Sequence, residues 1–405
     1  MISRNYFRAA CALLAAGAFI GLSRLSPGQQ TPAAPPPLVS PEVHADGRVT
    51  FRFRAPDAKE VLLSREGTTS VPMVKDAQGV WSITTDPLPP DLYGYSFVQD
   101  GVSLIDPSNT VIKPNLLHLQ SVVHVPGATP LPWEVTNVPH GEIHHHFYKS
   151  AIIGDNRDFF VYTPPGYDSR SATPYPVLYL LHGYSDDASG WTAVGKANLI
   201  LDNLIAQAKA KPMVIVMPLG YGAPEIVSAS GPSAFRDPSL RQRNYDRFRD
   251  ALFNEVMPMV EHNYHVSANR EDRAIAGLSM GGAETLYTGL NATDRFAYIG
   301  AFSSGGLGDD FASQFPTLNR SASSKLRVLF ISCGRDDHLL GFNEKFVAWL
   351  NSKGFDVSLH QTPGAHTWMV WRRNLIDFSG MIFHEKASVA GLKSRAEAHP
   401  PRTSF

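Results

Sequence analysis

Ser279 sits in Gly277-Leu278-Ser279-Met280-Gly281-Gly282, a G-x-S-x-G pattern whose small flanks suit a sharp turn from a strand into a helix. The surroundings fit that turn. Arg273-Ala274-Ile275-Ala276 predicts a short buried strand, and residues 283–290 can form the helix. A serine hydroxyl is a weak nucleophile that needs a base, and the base needs an acid to orient it. The histidines that follow are His338, His360, His366, His384 and His399. Of these, His366 stands in a loop, Thr362-Pro363-Gly364-Ala365-His366, just beyond a candidate strand, which makes it the expected base. The acid is expected at the carboxyl end of the preceding parallel strand, where residues 328–333 run into Gly334-Arg335-Asp336-Asp337, and either aspartate satisfies that position. Leu181-His182-Gly183-Tyr184 closes an early strand, so the backbone amides of Tyr184 and Met280 are the expected donors to an oxyanion. A set of this kind attacks an acyl carbonyl and passes through an acyl-enzyme without a cofactor.

Holding such groups requires a parallel sheet covered on both faces. Residues 177–181, 213–217 and 328–332 are continuous apolar runs, as strands buried on both sides should be. Between them, Ala197, Ile200, Leu201, Leu204, Ile205 and Ala208 share one helical face, as do Phe248, Leu252, Val256 and Val260. Strand and helix alternate across residues 139–386, which predicts an α/β fold with a doubly wound, mostly parallel sheet. Residues 39–126 read differently. Val49, Phe51 and Phe53 alternate with polar neighbours, as do Tyr93, Tyr95 and Phe97, and turn signals at Asp46-Gly47, Gln78-Gly79 and Asp100-Gly101 separate the runs. This predicts a small all-β sandwich that folds as a unit and mainly supports the larger domain.

At the start, Arg4 and Arg8 precede an uncharged run over residues 9–22, shorter than the roughly 20 residues a bilayer span needs. Residues 1–30 are therefore expected to be a signal peptide, leading to a secreted or periplasmic protein with no stable membrane span. Residues 31–38 are expected to form a Pro-rich linker, and residues 387–405 a disordered tail. Removal of the leader takes Cys11 with it and leaves Cys333 as the single thiol, so no disulfide framework is expected. A formal net charge of -1 with 36 basic and 37 acidic residues gives no pull toward a polyanion, and nucleic acid is not an expected partner. Two clusters invite other chemistry. His140, His144, His145 and His146 suggest a metal, but consecutive residues of a strand face opposite ways and no further ligands complete a site. Asp186-Asp187 resembles a carboxylate pair, yet adjacent residues rarely converge across a scissile bond, and a solvated loop is the expectation.

Two resemblances extend this reading. Phe53-Arg54-Ala55-Pro56-Asp57-Ala58-Lys59-Glu60-Val61, Tyr93-Gly94-Tyr95 and Asp106-Pro107-Ser108-Asn109 resemble early-set immunoglobulin-like modules that precede carbohydrate-active enzymes. By that likeness Trp81, Tyr93 and Tyr95 are either a glycan platform or, as we expect, core. Val161-Tyr162-Thr163-Pro164-Pro165-Gly166-Tyr167, Leu180-Leu181-His182-Gly183, the Arg273 to Gly282 stretch and Cys333-Gly334-Arg335-Asp336-Asp337 resemble the feruloyl esterase and acetylxylan esterase group of carbohydrate esterases, which is enterochelin-esterase-like and has the α/β-hydrolase fold. The resemblance implies a serine esterase acting on feruloyl or acetyl groups of xylan. It also implies Asp337 as the acid, because in that family the acid stands four residues after the cysteine of the Cys-Gly pair. Trp191 and Trp368 are candidates to line an aromatic acyl pocket, with packing as their other role. Three alternatives accompany this expectation. A siderophore trilactone esterase would use Arg236, Arg241, Arg243 and Arg247 against an anionic ligand; the others are an acyltransferase to sugars and an inert carbohydrate-binding protein.

Overall fold

The structure, a computed structural model, describes residues 37–227 and 232–384. The expected signal peptide, nearly all of the Pro-rich linker and the C-terminal tail lie outside them.

Alternation in the first part of the chain becomes two antiparallel sheets. One orders Glu42–Val43, Val49–Arg54, Val80–Thr84 and Val74–Lys75. The other orders Val71–Pro72, Val61–Arg65, Asp91–Gln99, Gln120–Val125 and Ile112–Lys113, with Val102–Leu104 on the side of Asp91–Gln99. Phe51 and Phe53 point inward from the first sheet and pack on Tyr95 and Phe97 of the second. Trp81, Tyr93 and Tyr95 are buried, their polar atoms donating to Ala55 O, Pro89 O and Asp106 Oδ2. These aromatics are core, and none offers a face to a glycan.

The C-terminal part is one eight-stranded sheet: β1 (Glu142–Lys149), β2 (Asn156–Thr163), β3 (Val177–Leu181), β4 (Val214–Pro218), β5 (Arg273–Leu278), β6 (Tyr298–Phe302), β7 (Val328–Gly334) and β8 (Leu359–Thr362). The spatial order is β1-β2-β4-β3-β5-β6-β7-β8, antiparallel at β1 and β2 and parallel from β4 onward. Strict alternation divides each central strand between two cores: Val177, Tyr179 and Leu181 face one, Leu178 and Leu180 the other. Helices α1 (Ala197–Ala206) and α5 (Trp368–Ser379) cover the second face. The first is covered by α2 (Pro238–Ala251), α3 (Ser279–Leu290) and α4 (Leu340–Ser352).

The sandwich and this sheet belong to one compact unit, from Leu38 onward. A buried ion pair joins them: Arg372 of α5 donates 2.7 Å to Asp91 of the sandwich, also donating to Leu92 O and Val194 O, while Arg373 meets the other Asp91 oxygen at 2.7 Å. Both arginines lie over the Trp133 ring. Without Arg372, Asp91 keeps Arg373 but loses its buried partner, and the Leu92 and Val194 carbonyls lose their donor. Arg372→Met is therefore expected to lower stability by about 1–3 kcal/mol, read as a shift of the denaturant midpoint.

Candidate active site

β5 ends at Leu278 and α3 begins at Ser279, whose φ of 52° places a non-glycine residue in the left-handed region. That strain turns the hydroxyl out of the sheet. The flanking glycines are sterically required. A Cβ on Gly277 would stand 2.4 Å from Gly281 O, and one on Gly281 would stand 2.3 Å from His182 O. His366 Nε2 lies 3.0 Å from Ser279 Oγ, and its Nδ1 lies 2.8 Å from Asp337 Oδ2. With Nδ1–H donating to the carboxylate, Nε2 is left to accept the serine proton. Asp337 is 5% exposed whereas Asp336 is exposed, which distinguishes the adjacent acids. Burial pushes the Asp337 carboxyl upward, but the hydrogen bond and charge of His366 outweigh it and hold the group below its ordinary range.

The loop after β3 lies against Ser279, since a Cβ on Gly183 would meet Leu278 Cδ1 at 2.6 Å and Ser279 Cβ at 3.4 Å. His182 fixes this loop. The Gly220 amide donates to its Nε2 at 2.9 Å, so the proton sits on Nδ1 and is donated to Gly183 O at 2.8 Å. Burial drives this imidazole down to about 4 and keeps it neutral. The amides of Tyr184 and Met280 have no acceptor within the chain among the described residues. Met280 follows the first residue of α3, where helix amides lack intrahelical partners.

Several expectations need correction. Trp368 borders the pocket around Ser279, of about 320 Å³, but Trp191 is fully buried, donates to Leu181 O and packs edge-on against Trp368. Its role is packing. Trp371, one helical turn beyond Trp368, lines the pocket instead, 4.8 Å from the His366 ring. Asp186 is not in a solvated loop: it is buried beside the pocket and accepts from Asn115. Its neighbour Asp187 caps Ser189. The arginines of the trilactone alternative do not converge. Arg243 pairs with Glu225, Arg241 donates to Phe235 O and Arg236 O, Arg247 donates to Ile152 O and Ile153 O, and Arg236 is exposed. Of the histidine cluster, His140, His144 and His146 line one pocket, where His140 meets Asp202, His144 lies 3.7 Å from Glu142 and His146 meets the Tyr264 hydroxyl, while His145 meets Asp158.

The sandwich does more than support. Its Glu66 accepts from the Trp368 amide at 2.9 Å, two residues beyond His366, and from Gly94 at 3.1 Å. Its Asn115 donates to Ser185 and Asp186, and the Leu116 amide donates to Ser185 O. Glu66, Lys113 and Asn115 thus share the pocket with Ser279 and His366. Nothing in the local sequence marks them, because each acts through a contact far along the chain.

Burial raises Asp186 to about 7, against 3.8 for the free side chain. Between these values only the unfolded chain releases the proton, so this group makes stability fall as pH rises from about 4 to 7. His182 acts oppositely, costing stability as pH falls from 6.5 toward 4. The two slopes offset one another in the native protein. Asp186→Asn is therefore expected to gain roughly 4 kcal/mol relative to the native chain between pH 4 and pH 8, measured by denaturant unfolding at both values.

Comparison with known proteins follows the same lines. A family model described as "Putative esterase" matches residues 150–382. An endo-1,4-beta-xylanase/feruloyl esterase of Xylanibacter ruminicola is 31% identical over 354 residues, which is 85% of this chain and 46% of that protein. The chain thus spans about half the length of that relative. A ferulic acid esterase from Anaeromyces mucronatus, solved with ferulic acid, is similar at 25% identity with a TM-score of 0.53, covering 62% of this chain and 93% of the other. Enterochelin esterase from Shigella flexneri shares the fold, with a TM-score of 0.64 at 21% identity over 84% of this chain and 94% of the other.

Proposed function

The chain belongs to the esterase family, and from that premise we propose that it hydrolyses carboxylic esters with Ser279 as nucleophile, His366 as general base and acid, and Asp337 as the group that orients His366. The observation that carries this is the continuous hydrogen-bonded relay, 3.0 Å from Ser279 to His366 and 2.8 Å from His366 to Asp337. Attack by Ser279 Oγ on the ester carbonyl passes its proton to His366 Nε2, and the imidazolium gives that proton to the departing alcohol. Water then repeats the sequence on the acyl-enzyme. The Tyr184 and Met280 amides donate to the oxyanion, the latter reinforced by the amino end of α3.

The acyl group in this reading is feruloyl or acetyl and the alcohol is a sugar of xylan, with export through the N-terminal leader. The likeness to a xylanase/feruloyl esterase supports that substrate, and the aromatic wall of Trp368 and Trp371 suits a planar acyl group. The engagement of Arg241, Arg243 and Arg247 by other groups weighs against an anionic siderophore. Methyl ferulate, acetylated xylan and a catecholate trilactone, assayed side by side, test the assignment: release of ferulate or acetate with the trilactone intact is expected, and preferential trilactone cleavage would reverse it.

A further inference from the structure

We propose that the cleft between the sandwich and the larger sheet binds a carboxylate carried on the sugar part of the substrate, a uronic acid substituent, with Lys196 as its counter-charge. This rests on the esterase reading above. The cleft encloses about 300 Å³ and adjoins the nucleophile's pocket, for Glu66 and Lys113 line both. A sugar whose ester lies at Ser279 can therefore extend into it. Ile112 and Val122 from the sandwich and Val194 from the larger domain supply apolar surface for the C–H face of a pyranose ring.

The charges around the cleft do not balance. Glu66 is satisfied by the Gly94 and Trp368 amides with Lys113 at 3.8 Å, and Asp91 is shared between Arg372 and Arg373. Against these two carboxylates stand Lys113, Arg372, Arg373 and Lys196. Lys196 is the cation without an acid: among the described residues no carboxylate pairs with it, and the charge that acts on it is that of Arg372, which repels it. Burial, followed by this repulsion, holds its amine below the ordinary lysine range, a cost that an incoming anion relieves. The backbone adds an independent sign. Lys196 has a φ of 57°, a conformation that glycine or asparagine adopts with less strain. The preceding Gly195 is wedged so tightly that a Cβ there would lie 2.5 Å from the Trp191 ring and 2.7 Å from the Trp368 ring. The loop is thus locked onto the tryptophans beneath the pocket, and a strained lysine is kept where it lines the cleft.

The test is direct binding to the full chain, which needs no turnover. Glucuronosyl-xylotriose and xylotriose are titrated calorimetrically into the native protein, Lys196→Asn and Lys196→Arg. Asparagine tolerates the left-handed backbone, so the loop is preserved. The acidic sugar is expected to bind the native chain about tenfold more tightly than the neutral one. The ratio should fall to about one in Lys196→Asn and survive in Lys196→Arg. In the native chain alone, the ratio should also shrink as ionic strength rises. Equal binding of the two sugars, a ratio kept in Lys196→Asn, or a ratio indifferent to salt overturns the proposal. Hydrolysis of 4-nitrophenyl acetate by the native protein is read in parallel: its absence counts against the esterase reading and leaves the binding result to decide the subsite.

Discussion

Ser279→Ala is expected to lower kcat on methyl ferulate by about 10⁶ while leaving the unfolding transition in place. Alanine keeps the Cβ that already occupies the left-handed turn, so the elbow between β5 and α3 bears the same strain in both proteins. What disappears is Oγ, the only atom of the relay that can form the covalent intermediate. The oxyanion donors and the bound geometry still give some acceleration over water, which is why the loss is large yet finite. Turnover above about one per cent of native would mean that another group attacks the ester.

Asp337→Asn is expected to cost about 10⁴ in kcat, and Asp336→Asn less than about tenfold. The carboxylate of Asp337 accepts the Nδ1 proton of His366 at 2.8 Å and stabilises the imidazolium that forms during attack. An amide at that place can donate to Nδ1 instead, which moves the ring proton to Nε2 and leaves nothing to accept from Ser279. Asp336 is exposed and reaches neither His366 nor Ser279. Parallel kinetics on the two variants decide the matter, and a reversal of the two effects would assign the acid to Asp336.

The parts of the molecule legible in its sequence are those governed by neighbours along the chain. Gly277, Ser279 and Gly281 announce a turn because steric exclusion acts over a few residues, and the all-apolar run at 177–181 announces a strand buried on both faces. His366 and the Asp336–Asp337 pair are legible for a related reason, since each follows the carboxyl end of a parallel strand, whereas the choice of Asp337 within the pair rests on the family resemblance. The strands of the sandwich were equally readable, but its part in the site was not. Glu66 meets the Trp368 amide across 302 residues of chain, and no periodicity encodes such a contact. Trp191 and Trp371 show the same limit within the larger domain. Both stand near the site in sequence or space, yet only the three-dimensional packing decides that Trp191 is buried under Trp368 while Trp371 borders the pocket. Asp186 was misjudged because a pair of aspartates in a loop reads as solvated, whereas the sandwich covers it.

The most direct test of the central claim is mass-spectrometric mapping of the protein after reaction with a fluorophosphonate. Such a probe is attacked by a serine that a neighbouring base activates, and the adduct resembles the tetrahedral intermediate held by the oxyanion donors. One adduct per chain, on the peptide bearing Ser279 and missing from Ser279→Ala, is the result expected. An unlabelled Ser279, or an adduct on another residue that persists in Ser279→Ala, would contradict the account.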